Sequence, residues 1–155
     1  MTLCDSNIGL ALALPGHVHH AAARRWLNGV EGVAAVFFCR ATQQAFLRLL
    51  TNAAVLAPYG NQPLTNRQAW AVYEAMLVDD RIAWRADEPA GLDVRWKQFA
   101  VRDTASPKLW MDAYLAAFAV AGGHRLVTTD TAFRQLRALT LTLELVGASR
   151  PASAN

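Results

Sequence analysis

The sequence predicts a three-layer α/β/α domain built on a central, mostly parallel sheet. Three observations carry that expectation. Short apolar segments of strand length alternate with longer segments of helical spacing along the chain. One short segment, Val33–Cys39 (VAAVFFC), is apolar without interruption, which fits a parallel strand buried on both faces. The last, Leu139–Val146 (LTLTLELV), alternates instead, as a strand at the edge of a sheet does.

The elements follow in order. Thr2–Cys4 is a short apolar strand that ends at Asp5. Pro15-Gly16 makes a turn, and His17–Gly29 has helical spacing, with Ala21, Trp26 and Leu27 on its packed face. After the strand at Val33–Cys39, Thr42–Leu50 reads as a helix with Phe46, Leu49 and Leu50 apolar, ending near Asn52. Pro63-Leu64-Thr65 opens the next helix: Thr65 and Gln68 match a capping box, and Trp70, Tyr73 and Leu77 follow at helical spacing. Arg81–Arg85 is the third strand and Pro89–Val101 a further helix. Lys108–Ala121, ended by Gly122-Gly123, is the clearest helix of the chain. Arg125–Thr129 is the fourth strand, terminating at Asp130, and Thr131–Leu136 is a short helical segment before the edge strand. Neither a repeat nor a linker divides the chain. The expected domain therefore spans residues 1–147, and the small, polar segment 148–155 is expected to be a flexible tail.

Composition narrows the classes. A chain of 155 residues can be covered by one core, and 54% hydrophobic against 17% charged residues excludes a disordered chain. The apolar surplus is expected to be covered in part by a partner. Val33–Cys39 and Leu109–Ala121 are too short or too interrupted to span a bilayer. Met1–Asp5 lacks the basic and apolar regions of a signal peptide, so a cytoplasmic location is expected. Cys4 and Cys39 lack CxxC spacing and read as buried, reduced thiols. The net charge of +3 comes from thirteen arginines and two lysines against twelve acids. Arginine suits phosphate because its planar fork makes two hydrogen bonds at once, but so mild a charge permits RNA contact without identifying it.

In parallel sheets, sites form beyond the carboxyl ends of the strands. Asp5 closes the first strand within Asp5-Ser6-Asn7, and Asp130 closes the fourth within Thr128-Thr129-Asp130. Asp112 stands inside the most apolar helix, where a carboxylate facing the core is expensive and its pKa rises unless a cation or donors compensate. Singly, each has a structural reading: Asp5 and Asp130 as turn or N-cap residues, Asp112 as a solvent-facing acid in a first helical turn. Together, three carboxylates able to converge at one sheet edge repel one another, and a divalent cation is the usual remedy. Mg²⁺ or Mn²⁺ prefers oxygen ligands and keeps waters for substrate phosphate, so metal-assisted phosphodiester hydrolysis is the chemistry this constellation suits best. Asn7 and Thr128 stand where they can orient carboxylates or waters, or serve only as turn residues. Arg40 and Arg48 flank the site as candidates for RNA-phosphate contact. His17, His19 and His20 do not fall on one helical face and are not expected to hold a metal. Trp26, Trp70, Trp84, Trp96 and Trp110 read as core or interface residues rather than base-stacking platforms.

Several segments resemble a known family. Asp5-Ser6-Asn7 resembles the opening motif of PIN domains, Trp110–Ala119 (WMDAYLAAFA) their central acidic helix, and Leu126–Phe133 (LVTTDTAF) their fourth strand end. His17–Trp26 and Cys39–Asn52 resemble, more narrowly, the VapC toxins. The resemblance runs from about residue 2 to 146. It implies a PIN-like fold and an Mg²⁺- or Mn²⁺-dependent endoribonuclease, often dimeric, inhibited by a cognate VapB-like antitoxin. Asp5, Asp112 and Asp130 match the family's metal-binding aspartates. The chain departs from the family pattern at one place. Many PIN domains carry a glutamate early in the helix after the second strand, whereas here Thr42 is followed by Gln43, Gln44 and Ala45. An amide can hydrogen-bond a metal-bound water but cannot act as a base, so a weaker metal site is expected. The alternative function is a catalytically weak PIN-like module that binds RNA or antitoxin without cutting. A receiver-like or phosphotransferase domain fits less well, since no DxDxT opening is present and Lys108 does not follow a strand.

Overall fold

The computed structural model describes residues 1–147, so the expected tail at 148–155 lies outside the described residues. Its sheet has strands β1 (Thr2–Cys4), β2 (Val36–Phe38), β3 (Ile82–Trp84), β4 (Arg125–Thr128) and β5 (Leu143–Leu145) in the order β3-β2-β1-β4-β5. Every neighbouring pair is parallel. The chain builds outward from β1 to β2 and β3, then returns to the other side of β1 for β4 and β5. The strand order therefore reverses between β1 and β4, and open α/β sheets bind ligands beyond the carboxyl ends at such a reversal.

Helices α1 (Ser6–Ala13), α2 (His20–Asn28), α3 (Arg40–Leu50), α4 (Ala53–Leu56) and α5 (Asn66–Met76) cover one face of the sheet. Helices α6 (Leu92–Ala100) and α7 (Leu109–Ala121), with a 3-10 segment at Thr131–Leu139, cover the other. Both faces of the sheet are buried, so its strands are apolar at successive positions. Leu3, Phe37 and Leu126 point toward α6 and α7, while Cys4, Val36, Phe38 and Val127 point toward α1, α3 and α5. Cys4 and Cys39 are buried free thiols. Among the described residues no helix is long and apolar enough to cross a membrane.

The structure departs from expectation mostly in local conformation. Helix α1 is absent from the sequence reading because Ile8–Ala13 is apolar on nearly every side; no polar face marks it, and Ile8, Leu10 and Ala11 are buried. Helix α2 starts at His20 instead of His17, since His17 closes a turn by accepting the His20 N–H at 2.8 Å. Its buried residues are Ala23 and Leu27, and Ala21 is exposed. The second strand shortens to Val36–Phe38: Ala34 turns into the left-handed region at φ 53°, and Cys39 already begins α3. Helix α4 and the 3-10 turn at Ala57–Tyr59 are also unforeseen. The capping box at Thr65 and Gln68 forms as expected, each side chain meeting the other residue's backbone N–H.

Candidate functional site

Asp5 stands where β1 becomes α1, and it is only 4% exposed. Its N–H extends the sheet ladder to the Val127 carbonyl at 3.0 Å, which fixes the backbone at the reversal point. Its carboxylate is met on both oxygens: Thr128 Oγ1 donates to Oδ2 at 2.5 Å, Asn7 Nδ2 to Oδ2 at 3.2 Å, and Ser6 Oγ to Oδ1 at 3.2 Å. Burial still pushes its pKa above the usual carboxylate range, against the pull of the Thr128 and Ser6 hydroxyls. Thr128 is wholly buried, and while its hydroxyl donates to Asp5 it accepts the N–H of Asp130 at 3.0 Å. One hydroxyl thus ties together the two strand ends that carry acids.

Asp130 accepts the Ala132 N–H on Oδ1 at 2.7 Å and so caps the 3-10 segment, which fixes its place beyond β4. Asp112 lies half-buried in the first turn of α7, which packs on β4 and the 3-10 segment. Its pKa is pushed up to about 6, first by burial and then by the charges of Asp130 and Asp5. The fold therefore brings all three acids into one electrostatic neighbourhood. Among the described residues, however, no three His, Cys, Asp or Glu side chains stand at metal-ligand spacing.

Register places the remaining candidates. Leu3 pairs with Phe37, so Asp5 is level with Cys39, the residue that opens α3. Gln43, in the first turn of α3, is buried, and its Oε1 accepts from Arg40 Nη1 at 2.6 Å. Gln44 is exposed on the same turn. The Arg40 guanidinium lies over the Trp84 ring, 4.6 Å from its centre. Arg48 is exposed in the last turn of α3, about 12 Å further along the helix axis at 1.5 Å per residue. Asp5, Asp112, Asp130, Asn7 and Thr128 thus form one group, Arg40 and Gln43 a neighbouring one, and Arg48 stands apart.

Sequence reasoning does not single out Ser6, although it lies between Asp5 and Asn7 in the same motif. It also misses Trp84 and Tyr73, which line a groove beside Arg40 and Gln43. The tryptophans are not core residues as a class: Trp70, Trp84 and Trp110 are 46%, 37% and 58% exposed. Trp110 sits edge-on to Trp96, whose indole N–H donates to the Trp110 carbonyl at 3.0 Å. Two of the three histidines make other contacts, His17 stacking on Tyr59 and His20 Nδ1 lying 2.8 Å from the Ala11 carbonyl.

The donor chemistry fits a divalent cation such as Mg²⁺ or Mn²⁺. The acids offer only carboxylate oxygens, and Asp112 carries a charge that its surroundings oppose and a cation would relieve.

The comparisons with known proteins agree with this architecture. The family model described as the PIN domain matches residues 2–139. Over 143 residues the chain is 60% identical to Ribonuclease VapC41 of Mycobacterium tuberculosis, covering 92% of this chain and 98% of that protein. Among solved structures, VapBC2 of Rickettsia felis, bound to a DNA fragment from its promoter, superposes with a TM-score of 0.65 at 14% identity, covering 94% of this chain and 98% of that one. VapC20 of M. tuberculosis, a toxin that cleaves the sarcin–ricin loop, superposes with a TM-score of 0.61 at 16% identity over 88% of this chain and 95% of that one. On the family match over most of its length and on that identity, the chain belongs to the PIN-domain family and, within it, to the VapC ribonucleases.

Proposed function

We propose that this chain is a metal-dependent endoribonuclease toxin that cleaves RNA phosphodiester bonds and is neutralised by a cognate VapB-like antitoxin. One observation carries the reading: the Thr128 hydroxyl ties Asp5 and Asp130 together at the reversal point of the sheet, and Asp112 stands on the helix that packs against β4. The name of the M. tuberculosis relative, a ribonuclease, supports the activity, and the VapBC2 neighbour supports the antitoxin. The proposal extends to a homodimer acting in the cytoplasm.

Asp5, Asp112 and Asp130 would hold the ion, Mg²⁺ or Mn²⁺. When bound, such an ion supplies a water of lowered pKa and neutralises charge on the phosphoryl oxygens. The protein's own part is positioning. Thr128 and Asn7 hold one oxygen of Asp5 and Ser6 holds the other, so the carboxylate presents a fixed face. The Ala132 N–H holds Asp130. Arg40 and Arg48 contact RNA on the side of the site formed by α3. Gln43 and Gln44 support the site without acting as bases.

A second reading, a PIN-like module that binds RNA or antitoxin and cuts weakly, has one observation in its favour. No carboxylate stands where many PIN domains carry a glutamate, and the amide oxygen of Gln43 on the same turn is already held by Arg40. Purified protein incubated with total RNA in Mg²⁺, Mn²⁺ or EDTA, beside an Asp5→Asn variant, separates the two. Cleavage that needs the metal and is lost in the variant is expected. Cleavage unchanged in EDTA would overturn the metal site, and tight RNA binding without any cleavage would favour the weak module.

A further inference from the structure

We propose that the groove between α3, α5 and the end of β3 is a subsite for one unpaired RNA base beside the cleavage centre, an inference that rests on the ribonuclease reading above. Its walls include Arg40, Gln43, Trp70, Tyr73, Glu74 and Trp84, and it encloses about 310 Å³, more than one nucleobase fills.

Register fixes its distance from the acids. Phe38 pairs with Trp84, and Cys4 is level with Phe38, so Trp84 ends β3 two strands away from the point where Asp5 ends β1. Two inter-strand spacings are about 10 Å. That puts the groove on the same carboxyl edge, within reach of a nucleotide adjacent to the one being cut.

Its chemistry suits a base. The Arg40 guanidinium is fixed from two sides, lying on Trp84 and donating to Gln43, and Arg40 is otherwise exposed. It therefore forms a flat, cationic platform with an open face, and unpaired RNA bases stack on aromatic rings and guanidinium planes. The neighbouring acid is tied down at the rim, where Glu74 Oε1 accepts the Trp70 indole N–H at 2.9 Å.

The floor adds a polar group. Tyr73 is 3% exposed, and its buried hydroxyl faces Gln43, whose amide oxygen also accepts from Arg40. The side chains that act on that hydroxyl are Gln43 and Arg40, so its polar end lies at the groove. The edge of a base offers both acceptors and donors to such a hydroxyl. Stacking on the platform and one hydrogen bond from the floor are together what base recognition requires.

The test uses fluorescein-labelled single-stranded RNA hexamers of A, C and U, bound in EDTA so that nothing is cut. A map of cleavage sites in total RNA with Mn²⁺ accompanies it. Trp84→Ala is expected to weaken hexamer binding about tenfold. Arg40→Lys keeps the charge but loses the plane, and should weaken it several-fold. Tyr73→Phe should hold overall affinity but flatten the preference among the bases at one position next to the cut. Circular dichroism verifies that each variant folds. Trp84→Ala and Arg40→Lys both binding like the parent would overturn the subsite, and a Tyr73→Phe cleavage map identical to the parent's would overturn the role of the hydroxyl. Weakened hexamer binding in variants of a protein that cuts no RNA would support the subsite and sink the ribonuclease reading. Normal metal-dependent cleavage with unaffected variants would do the reverse. Variants that bind RNA normally but change the sedimentation of the protein would overturn the proposal in favour of an interface between two copies.

Discussion

The carboxyl edge of the sheet carries two neighbouring regions of opposite character. At β1 and β4 the side chains are acids and small donors: Asp5, Asp112 and Asp130, with Thr128, Asn7 and Ser6 holding Asp5. At β2 and β3 they are aromatic and cationic: Trp84, Trp70 and Tyr73, with Arg40 lying flat on an indole. The first region satisfies its hydrogen bonds but not its charge, since Asp112 is held up at about 6 by burial and by like neighbours. The second spreads its charge over an indole and an amide, and its buried Tyr73 hydroxyl faces that amide. Sites that a fold leaves unsatisfied in one specific respect are where a ligand supplies what is missing. A divalent cation relieves the charge of the first region, and the flat guanidinium of the second suits a base.

Asp112→Asn attacks the first region and should have the largest effect. Metal-dependent cleavage is expected to fall on the order of a thousandfold, while hexamer binding in EDTA stays the same or tightens. Stability should move the other way. The folded chain holds the Asp112 proton more tightly than the unfolded chain does. In EDTA it therefore loses stability as pH rises from the usual carboxylate range through about 6. The variant removes that loss, and above this window its metal-free form should gain about 1 kcal/mol once solvent screening of a half-buried group is allowed for. Thermal melts in EDTA across that range check it; a parent whose melting point rises with pH there would break the contrast.

Thr128→Val, nearly the same shape without the hydroxyl, tests how much of the acidic region depends on one atom. It removes the shortest donor to Asp5 and orphans the Asp130 N–H. A stability loss of about 2 kcal/mol and a fall in cleavage of about tenfold to a hundredfold are expected. Thr128→Ser should restore the cleavage, as measured by initial rates at fixed metal.

Gly9→Ala tests the foundation of the aromatic region and should have the smallest effect. A Cβ at Gly9 would meet Phe38 Cε1 and Phe46 Cδ2, each at 3.1 Å, and both rings are fully buried beneath Tyr73. Alanine gains helix propensity, but crowding two immobile rings outweighs it, for a net loss of about 1 kcal/mol. Urea unfolding measures the loss. Cleavage under native conditions should be unchanged, because Gly9 meets Asp5 through its backbone N–H, which alanine keeps.

Much of this was legible from local pattern. Uninterrupted apolar runs between helical segments indicated a buried parallel sheet, and the rule that sites lie past strand ends directed attention to Asp5 and Asp130. Helix α1 was not legible, because a helix apolar on all sides shows no periodicity. The exposure of Trp70 and Trp84 was not legible either, since spacing along a helix or strand does not say which neighbour fails to cover it.

By itself the sequence determined the class of the fold, the order of the acids and the amide that stands near the family's glutamate. Those follow from hydrophobic period, turn chemistry and residue type, all of which act within a few positions of one another. Only the tertiary structure decided that Thr128 bonds to an aspartate 123 residues away, that Asp112 feels the charges of Asp5 and Asp130, and that Arg40 lies on Trp84. Those pairings join residues far apart in the chain. Their distances and fields are set by strand register and by the packing of α7 against β4, and no local pattern encodes them.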